Sequence, residues 1–417
     1  MNPILLLTGL MALAYLGTML VSGRTLRGSG LPSGTEFLLL GILLGPKFLG
    51  LISSETRAAF EPFNAVALSW LAVVSGGHYG FAAGGVGVPT RTMARGLGLA
   101  ALSAGFAALA ASLVARRVED LSQAQLVLFA LGIGAVSAET TRHAVRWVVQ
   151  RYGATGPLTS FIGEMAEADD AIALVLLALI AAFSATATPM AGVPWSPVLS
   201  LGVSLLLGAA LGVTISALFN IEPRKGQRWG ILIGATLLGV GVSLKLGLSA
   251  VWVAFVMGVV ASLASAQRIE IGQMLEPTER PTMLPALVLA GAYVSLPPSL
   301  ELWAVAVAAV FARLLAKGLS GRLLVRWHRH SSAQKTNAVA AGGALLPAGI
   351  LSITAGLACA AAIKGPIGEL VLFIAVANTV TGELLGTPAL RFALKQAGEL
   401  NEPAKSSGLV RNKGAVQ

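Results

Sequence analysis

Apolar positions in this chain come as long runs broken by short polar stretches, and about thirteen of the runs are long enough to cross roughly 30 Å of hydrocarbon. They lie near 3–22, 34–52, 62–80, 93–114, 122–149, 157–183, 196–219, 229–247, 249–266, 282–296, 300–324, 338–361 and 366–394. The second, eighth, ninth and tenth are short or interrupted by Gly or Pro. This pattern predicts an all-α polytopic membrane protein, because a spanning segment must satisfy its backbone hydrogen bonds within itself.

Composition agrees. Only 12% of the 417 residues are charged and 55% are hydrophobic, whereas a soluble domain needs roughly 25% charged residues. The mean hydropathy is +0.78. Forty-nine glycines fit a membrane protein, since small residues let spanning helices approach closely. The single cysteine, Cys359, excludes an intramolecular disulfide and a Cys-based metal site.

The net charge of +10 invites a nucleic-acid reading, but its distribution argues otherwise. With the N-terminus outside, one set of alternate loops holds only Lys47, Arg57, Arg116, Arg117, Lys245 and Lys364 of the 29 Lys and Arg. The other 23, beginning with Arg24 and Arg27, fall to the opposite side. Such a bias predicts an odd number of spans, N-out and C-in, with the basic loops facing anionic lipid headgroups. The first span lacks a basic leader and reads as a retained helix rather than a cleaved signal peptide. Residues 395–417 read as a short cytoplasmic tail, with no room for a regulatory domain.

Charges within the spans carry the chemistry, because each needs a partner or a function there. The sixth span contains Gly163-Glu164-Met165-Ala166-Glu167-Ala168-Asp169-Asp170. Asp170 lies about thirteen residues from either end of its span, close to the bilayer midplane at about 1.5 Å per residue. Glu164, Glu167 and Asp170 recur every three residues and share one face, while Asp169 points about 100° away from Asp170. The two aspartates therefore have different tasks. Glu164 and Glu167 read either as structural ion pairs or as part of the site. A carboxylate such as Asp170 that holds either a proton or a hard cation is the minimal chemistry of an antiporter.

Three other spans depart from simple helices. The fifth runs from glycine-rich Leu131–Ala135 into Ser137, Glu139, Thr140, Thr141, Arg142, His143 and Arg146. That change predicts either a helix broken at the midplane or one that ends near residue 141. His143 reads more readily as a helix-end residue than as a proton relay. The twelfth span is interrupted by Gly342-Gly-Ala-Leu-Leu-Pro347-Ala-Gly349, and Pro347 removes a backbone donor there. Paired interruptions point to an inverted repeat in which helices 4–6 match helices 11–13. The eleventh span carries Arg313 and Lys317 four residues apart on one face, and an ion pair with Asp169 would satisfy one of them. Glu383, on the last span, is a further partner or an interfacial acid.

Together these runs resemble the monovalent cation:proton antiporter superfamily, especially its bacterial Na⁺/H⁺ and Kef-like members. Leu31–Gly50, with Gly41, Gly45, Pro46 and Gly50, is similar to the family's second-helix signature. Asp169-Asp170 resembles the double aspartate of its electrogenic members, Thr140-Thr141 its helix break, and Ala316-Lys317 its core lysine. Leu345–Gly349 resembles the second broken helix, and Gly382–Pro388 the final one. The likeness spans nearly the whole chain.

The resemblance implies a fold with two crossed broken helices, a homodimer in the cell membrane, and a role in pH homeostasis. Residues 1–394 would form the transmembrane domain, with moving core helices about 93–183 and 300–394. The dimer scaffold would be about 1–80 and 196–296. Asp170 would bind the cation or proton with Thr140 and Thr141 nearby, and Asp169 would face Lys317 or Arg313. A lysine partner allows electrogenic exchange, because arginine does not release its proton. Glu139, Arg142 and His143 depart from the small or apolar residues usual at this break and read as modulators, as do Glu164, Glu167 and Glu383. No cofactor, enzymatic activity or nucleotide-binding domain is expected. An intramembrane aspartyl protease would need its aspartates on separate helices. A cation channel, which would need a continuous polar path, and an organic-anion transporter on the same fold are the alternatives.

Overall fold

The computed structural model describes residues 8, 9, 12, 34–81, 90–118, 120–187, 196–327, 337–363 and 365–400, and among them every regular element is helical. Most of the expected first span, the loop arginines Arg24 and Arg27, Lys364 and the tail beyond residue 400 lie outside them. In order, the α-helices are α1 (Thr35–Leu44), α2 (Ser54–Phe81), α3 (Thr90–Val118), α4 (Gln123–Ala138), α5 (Arg142–Tyr152), α6 (Pro157–Ala168), α7 (Asp170–Ala187) and α8 (Pro197–Ile221). They continue as α9 (Lys225–Leu246), α10 (Ala250–Ala264), α11 (Arg268–Leu275), α12 (Glu279–Tyr293), α13 (Leu300–Trp327), α14 (Ala338–Gly343), α15 (Ile350–Ala362) and α16 (Pro366–Ala397).

Among the described residues, six segments are long and apolar enough to cross a bilayer: Arg91–Val118, Gln123–Tyr152, Pro197–Ile221, Lys225–Leu246, Leu300–Trp327 and Pro366–Ala397. Their outward faces are apolar, with Leu109, Leu206, Leu238, Val307 and Phe311 all exposed. A surface of this kind is stable against lipid and not against water. The chain is a multi-pass membrane protein.

The structure departs from the expected spans where local signals stop a helix. The run 34–52 supplies only ten helical residues, since the chain after Leu44 turns back through Gly45 and Gly50, the latter at φ 64°. Gly50 N donates to Gly45 O at 2.9 Å, and Ile52 N to Leu44 O at 2.9 Å. The third span begins earlier than its apolar run, at Ser54, with Pro62 inside the helix. A short helix, α11, and one 3₁₀ turn fill the polar stretch between α10 and α12.

The helices pack in two groups. In one, α10 lies against α2, α8 and α9, and α12 lies against α1 and α2. In the other, α3 packs on α4, α6 and α13, α7 packs on α4 and α15, and α15 and α16 pack on α4 and on each other. Glycines set the closest approaches within the first group. A Cβ on Gly76 of α2 would collide with the Phe255 carbonyl oxygen, and one on Gly258 of α10 would collide with that of Val73. The backbones therefore touch where lipid provides no hydrophobic drive and dispersion has to hold the pair. Gly258→Leu is expected to lower stability by about 3 kcal/mol, because backbone rather than a flexible side chain stands in the way. Thermal unfolding in detergent measures it, and an unchanged midpoint would contradict this account of the contact.

Candidate functional site

Two helices of the second group are interrupted, and the interruptions cross. The α4 helix ends at Ala138, Glu139 and Thr141 are extended, and α5 begins at Arg142 with the Thr141 hydroxyl accepting from His143 N at 3.4 Å. The α14 helix ends at Gly343, and Ala344–Gly349 runs on to α15. Thr141 N donates to Pro347 O at 2.7 Å, and the Thr140 hydroxyl donates to Leu345 O at 3.0 Å. Pro347 thus halts one helix while its carbonyl ties down the other. The crossing is tight. A Cβ on Gly349 would stand 2.6 Å from Thr141 Oγ1, and one on Gly386 of α16 would collide with the Pro347 ring.

Four half-helix ends meet here, and each broken end exposes partial charge. Arg313 and Lys317, both buried on α13, meet the carbonyl end of α4. Arg313 Nε donates to Ser137 O at 3.3 Å and its Nη2 to Glu139 O at 3.0 Å. Lys317 Nζ donates to Ala138 O at 2.7 Å and to Thr140 Oγ1 at 2.8 Å. At the opposite polarity, the Glu139 carboxylate accepts from Ser352 N at 2.5 Å at the start of α15. An anion at an N-terminus and cations at a C-terminus both complement the helix dipole. Ser352 Oγ and Asn378 Nδ2 donate to Val136 O at 2.6 and 3.2 Å, extending the same network.

The adjacent aspartates diverge. Lys317 Nζ lies 3.5 Å from Asp169 Oδ2. Asp170, one residue on, faces α2 of the other packing group and accepts from the Ser75 hydroxyl at 2.6 Å. The Arg142 Nη1 atom lies 3.6 Å from that same Asp170 oxygen. Both aspartates are buried, at 4% and 5% exposure, so neither charge is relieved by bulk solvent. Tyr79, one turn beyond Ser75, donates to the Ala168 carbonyl at 3.0 Å and braces the joint between α6 and α7.

Arg142 also forms a close ion pair with Glu279, at the first position of α12, and His143 Nε2 lies 3.4 Å from the same Glu279 oxygen. Arg146 pairs with Glu276 at 2.9 Å on the exposed side. These pairs join the broken helix of one group to α12 of the other and to the 3₁₀ turn that precedes it. Glu164 and Glu167 are only partly buried on α6, with Arg142 and Arg146 among the charged neighbours of Glu167. Glu383 is buried on α16 and accepts from the Thr35 hydroxyl.

The crossing therefore gathers Glu139, Thr140, Thr141, Asp169, Arg313 and Lys317, with Asp170, Arg142 and His143 at its flank toward α2 and α12. Thr140 is committed on both lone pair and proton, to Lys317 and Leu345. Ser75 and Glu279 are site residues that sequence reasoning passed over. The polar cluster Ser75-Gly-Gly-His78-Tyr79 inside an apolar run was the available signal for the first. Glu279 had none, since it opens a helix from a stretch that reads as a polar loop.

No family model matches this sequence, and neither does any curated protein. Solved structures do. A structure of the sodium proton antiporter MjNhaP1 from Methanocaldococcus jannaschii at pH 8 is similar to this chain with a TM-score of 0.67 at 16% identity, covering 96% of this chain and 100% of that one. A second structure of the same antiporter, from electron microscopy, gives 0.66 at 17% identity over 95% and 99% of the two chains. At such low identity the likeness is one of architecture, and it extends over nearly the whole of both chains. This chain has the fold of the sodium proton antiporter MjNhaP1.

Proposed function

We propose that this protein is a secondary antiporter exchanging a monovalent cation, Na⁺ first among them, for protons across the cell membrane. The observation that carries the proposal is the unequal fate of two adjacent buried aspartates. Asp169 is tied to Lys317 within the crossing, while Asp170 faces the boundary between the two packing groups, where a cation or a proton neutralises it. Asp170 supplies the charge and the Ser75 hydroxyl an oxygen, which suits a hard cation. Because Asp170 holds a cation or a proton but not both, loading one releases the other, and movement of the loaded site couples the two fluxes.

In this reading the helices of about 93–183 and 300–394 form a core that moves as an elevator. The helices of about 1–80 and 196–296 form the scaffold of a homodimer, and the paired breaks belong to an inverted repeat of an N-out, C-in chain. The test is cation-induced proton flux in proteoliposomes, with Na⁺, K⁺ and Li⁺ added in turn to vesicles holding an imposed pH gradient. Collapse of the gradient by one of these ions supports exchange and names the ion. No collapse with any of them rejects it.

Stoichiometry follows from the partner of Asp169. Lysine releases a proton when its carboxylate moves away and arginine does not. Exchange is therefore expected to be electrogenic, with its rate responding to an imposed membrane potential. In Lys317→Arg that response should vanish while exchange persists. A potential-independent rate in the unmodified protein would overturn the assignment of Lys317 as a proton carrier.

A further inference from the structure

The assignment of Asp170 as the cation site leaves one charge unaccounted for. Arg142 stands at the first position of α5, a helix N-terminus that disfavours a cation, and is 7% exposed. Its guanidinium lies between two buried carboxylates contributed by different packing groups, Asp170 of α7 and Glu279 of α12. The two contacts are unequal. Nη2 is in hydrogen-bonding contact with Glu279 Oε1, whereas Nη1 stands 3.6 Å from Asp170 Oδ2, an ion pair too long for a hydrogen bond. Nη1 and Nε have no hydrogen-bond partner among the described residues. The guanidinium thus leans on Glu279 while its unpaired edge faces Asp170.

We infer that Arg142 is a tethered cation that competes with the transported ion for Asp170, and that Glu279 is the seat it withdraws to when the ion binds. The inference rests on the reading of Asp170 given above. Coulomb attraction by Asp170 does not distinguish a guanidinium from a metal ion at the same flank, and two cations on one carboxylate repel. Glu279 lowers the cost of displacement, because it offers Arg142 a full counter-charge without a change of helix. Ser75 donates to the same Asp170 oxygen that Arg142 approaches, so displacement of Arg142 opens that oxygen to the ion while the serine holds the carboxylate in place. His143, 3.4 Å from Glu279, keeps that acid partnered whichever way Arg142 leans. The apparent affinity for the ion is then the intrinsic one scaled by the fraction of time Arg142 is away from Asp170.

Opposite effects of two substitutions test this. Arg142→Gln removes the competitor, and the apparent KM for the cation should fall by about tenfold or more. Glu279→Gln removes the alternative seat, so Arg142 settles on Asp170 and KM should rise by about tenfold. The double variant should resemble Arg142→Gln, because without the arginine the seat is irrelevant. Thermal unfolding and cation-induced thermal shift, read on the same preparations, separate an affinity change from a folding defect. A merely structural salt bridge predicts shifts in the same direction for both single variants, or no change in KM, and either result overturns the proposal while leaving exchange itself intact. If neither the unmodified protein nor Arg142→Gln responds to any cation in flux or thermal shift, Asp170 is not a cation site, and both readings fall together.

Discussion

Asp170→Asn is expected to abolish cation-dependent proton flux while leaving the protein folded. Asparagine matches the shape of aspartate and still accepts from Ser75, 2.6 Å away. Arg142 keeps Glu279 as its counter-charge, so the substitution strands no buried cation. What is lost is the negative charge. An opposite charge at about 4 Å is worth about 4 kcal/mol at an effective dielectric of 20, which corresponds to roughly a thousandfold in cation affinity. The neutral amide also has no proton to trade in the working range. Flux in proteoliposomes should fall to the protein-free level while thermal unfolding moves by only a few degrees. Residual flux above about a tenth of the original rate would remove Asp170 from the centre of the mechanism.

The second large effect is on stability. Lys317→Met should destabilise the protein by about 3–5 kcal/mol, the usual result of stripping one partner from a buried ion pair. Lys317 is 1% exposed and joins Asp169, the Ala138 carbonyl and the Thr140 hydroxyl, so its removal takes the cation from the Asp169 carboxylate and the donor from the Ala138 carbonyl. Methionine fills a similar volume, which keeps the loss electrostatic rather than one of packing. The double variant Lys317→Met/Asp169→Asn should recover most of the deficit, because it removes the orphaned charge as well. Thermal unfolding of the two singles and the double completes the cycle. Additive losses would mean that the 3.5 Å pair contributes no coupling, and that Lys317 acts only through the α4 carbonyls.

Both expectations depend on a geometry only partly visible in the amino-acid order. The breaks at 139–141 and 344–349 were legible, because glycine-rich apolar sequence gives way to Ser, Thr and charge in one case and meets Pro347 in the other. The divergence of Asp169 and Asp170 was legible too, since neighbours on a helix point about 100° apart. The choice between Arg313 and Lys317 was not. Both lie on one face of α13, and only the position of α4's last turn places Lys317 near Asp169 and Arg313 under the carbonyls of Ser137 and Glu139. Glu139 likewise read as an oddity in a span. Its partner is the N-terminus of α15, more than 200 residues away in sequence.

The sequence by itself determined the class of molecule, because bilayer physics acts on local runs: long apolar segments and scarce charge follow from residue order alone. It also marked which spans are irregular, since Pro, Gly and intramembrane carboxylates break the rules of a lipid-exposed helix wherever they occur. Tertiary structure alone decided the pairing of the charges. An ion pair buried away from water is set by distances of a few ångströms between helices remote in the chain. Thus Ser75 and Glu279 became neighbours of Asp170 and Arg142 only when the two packing groups closed on each other.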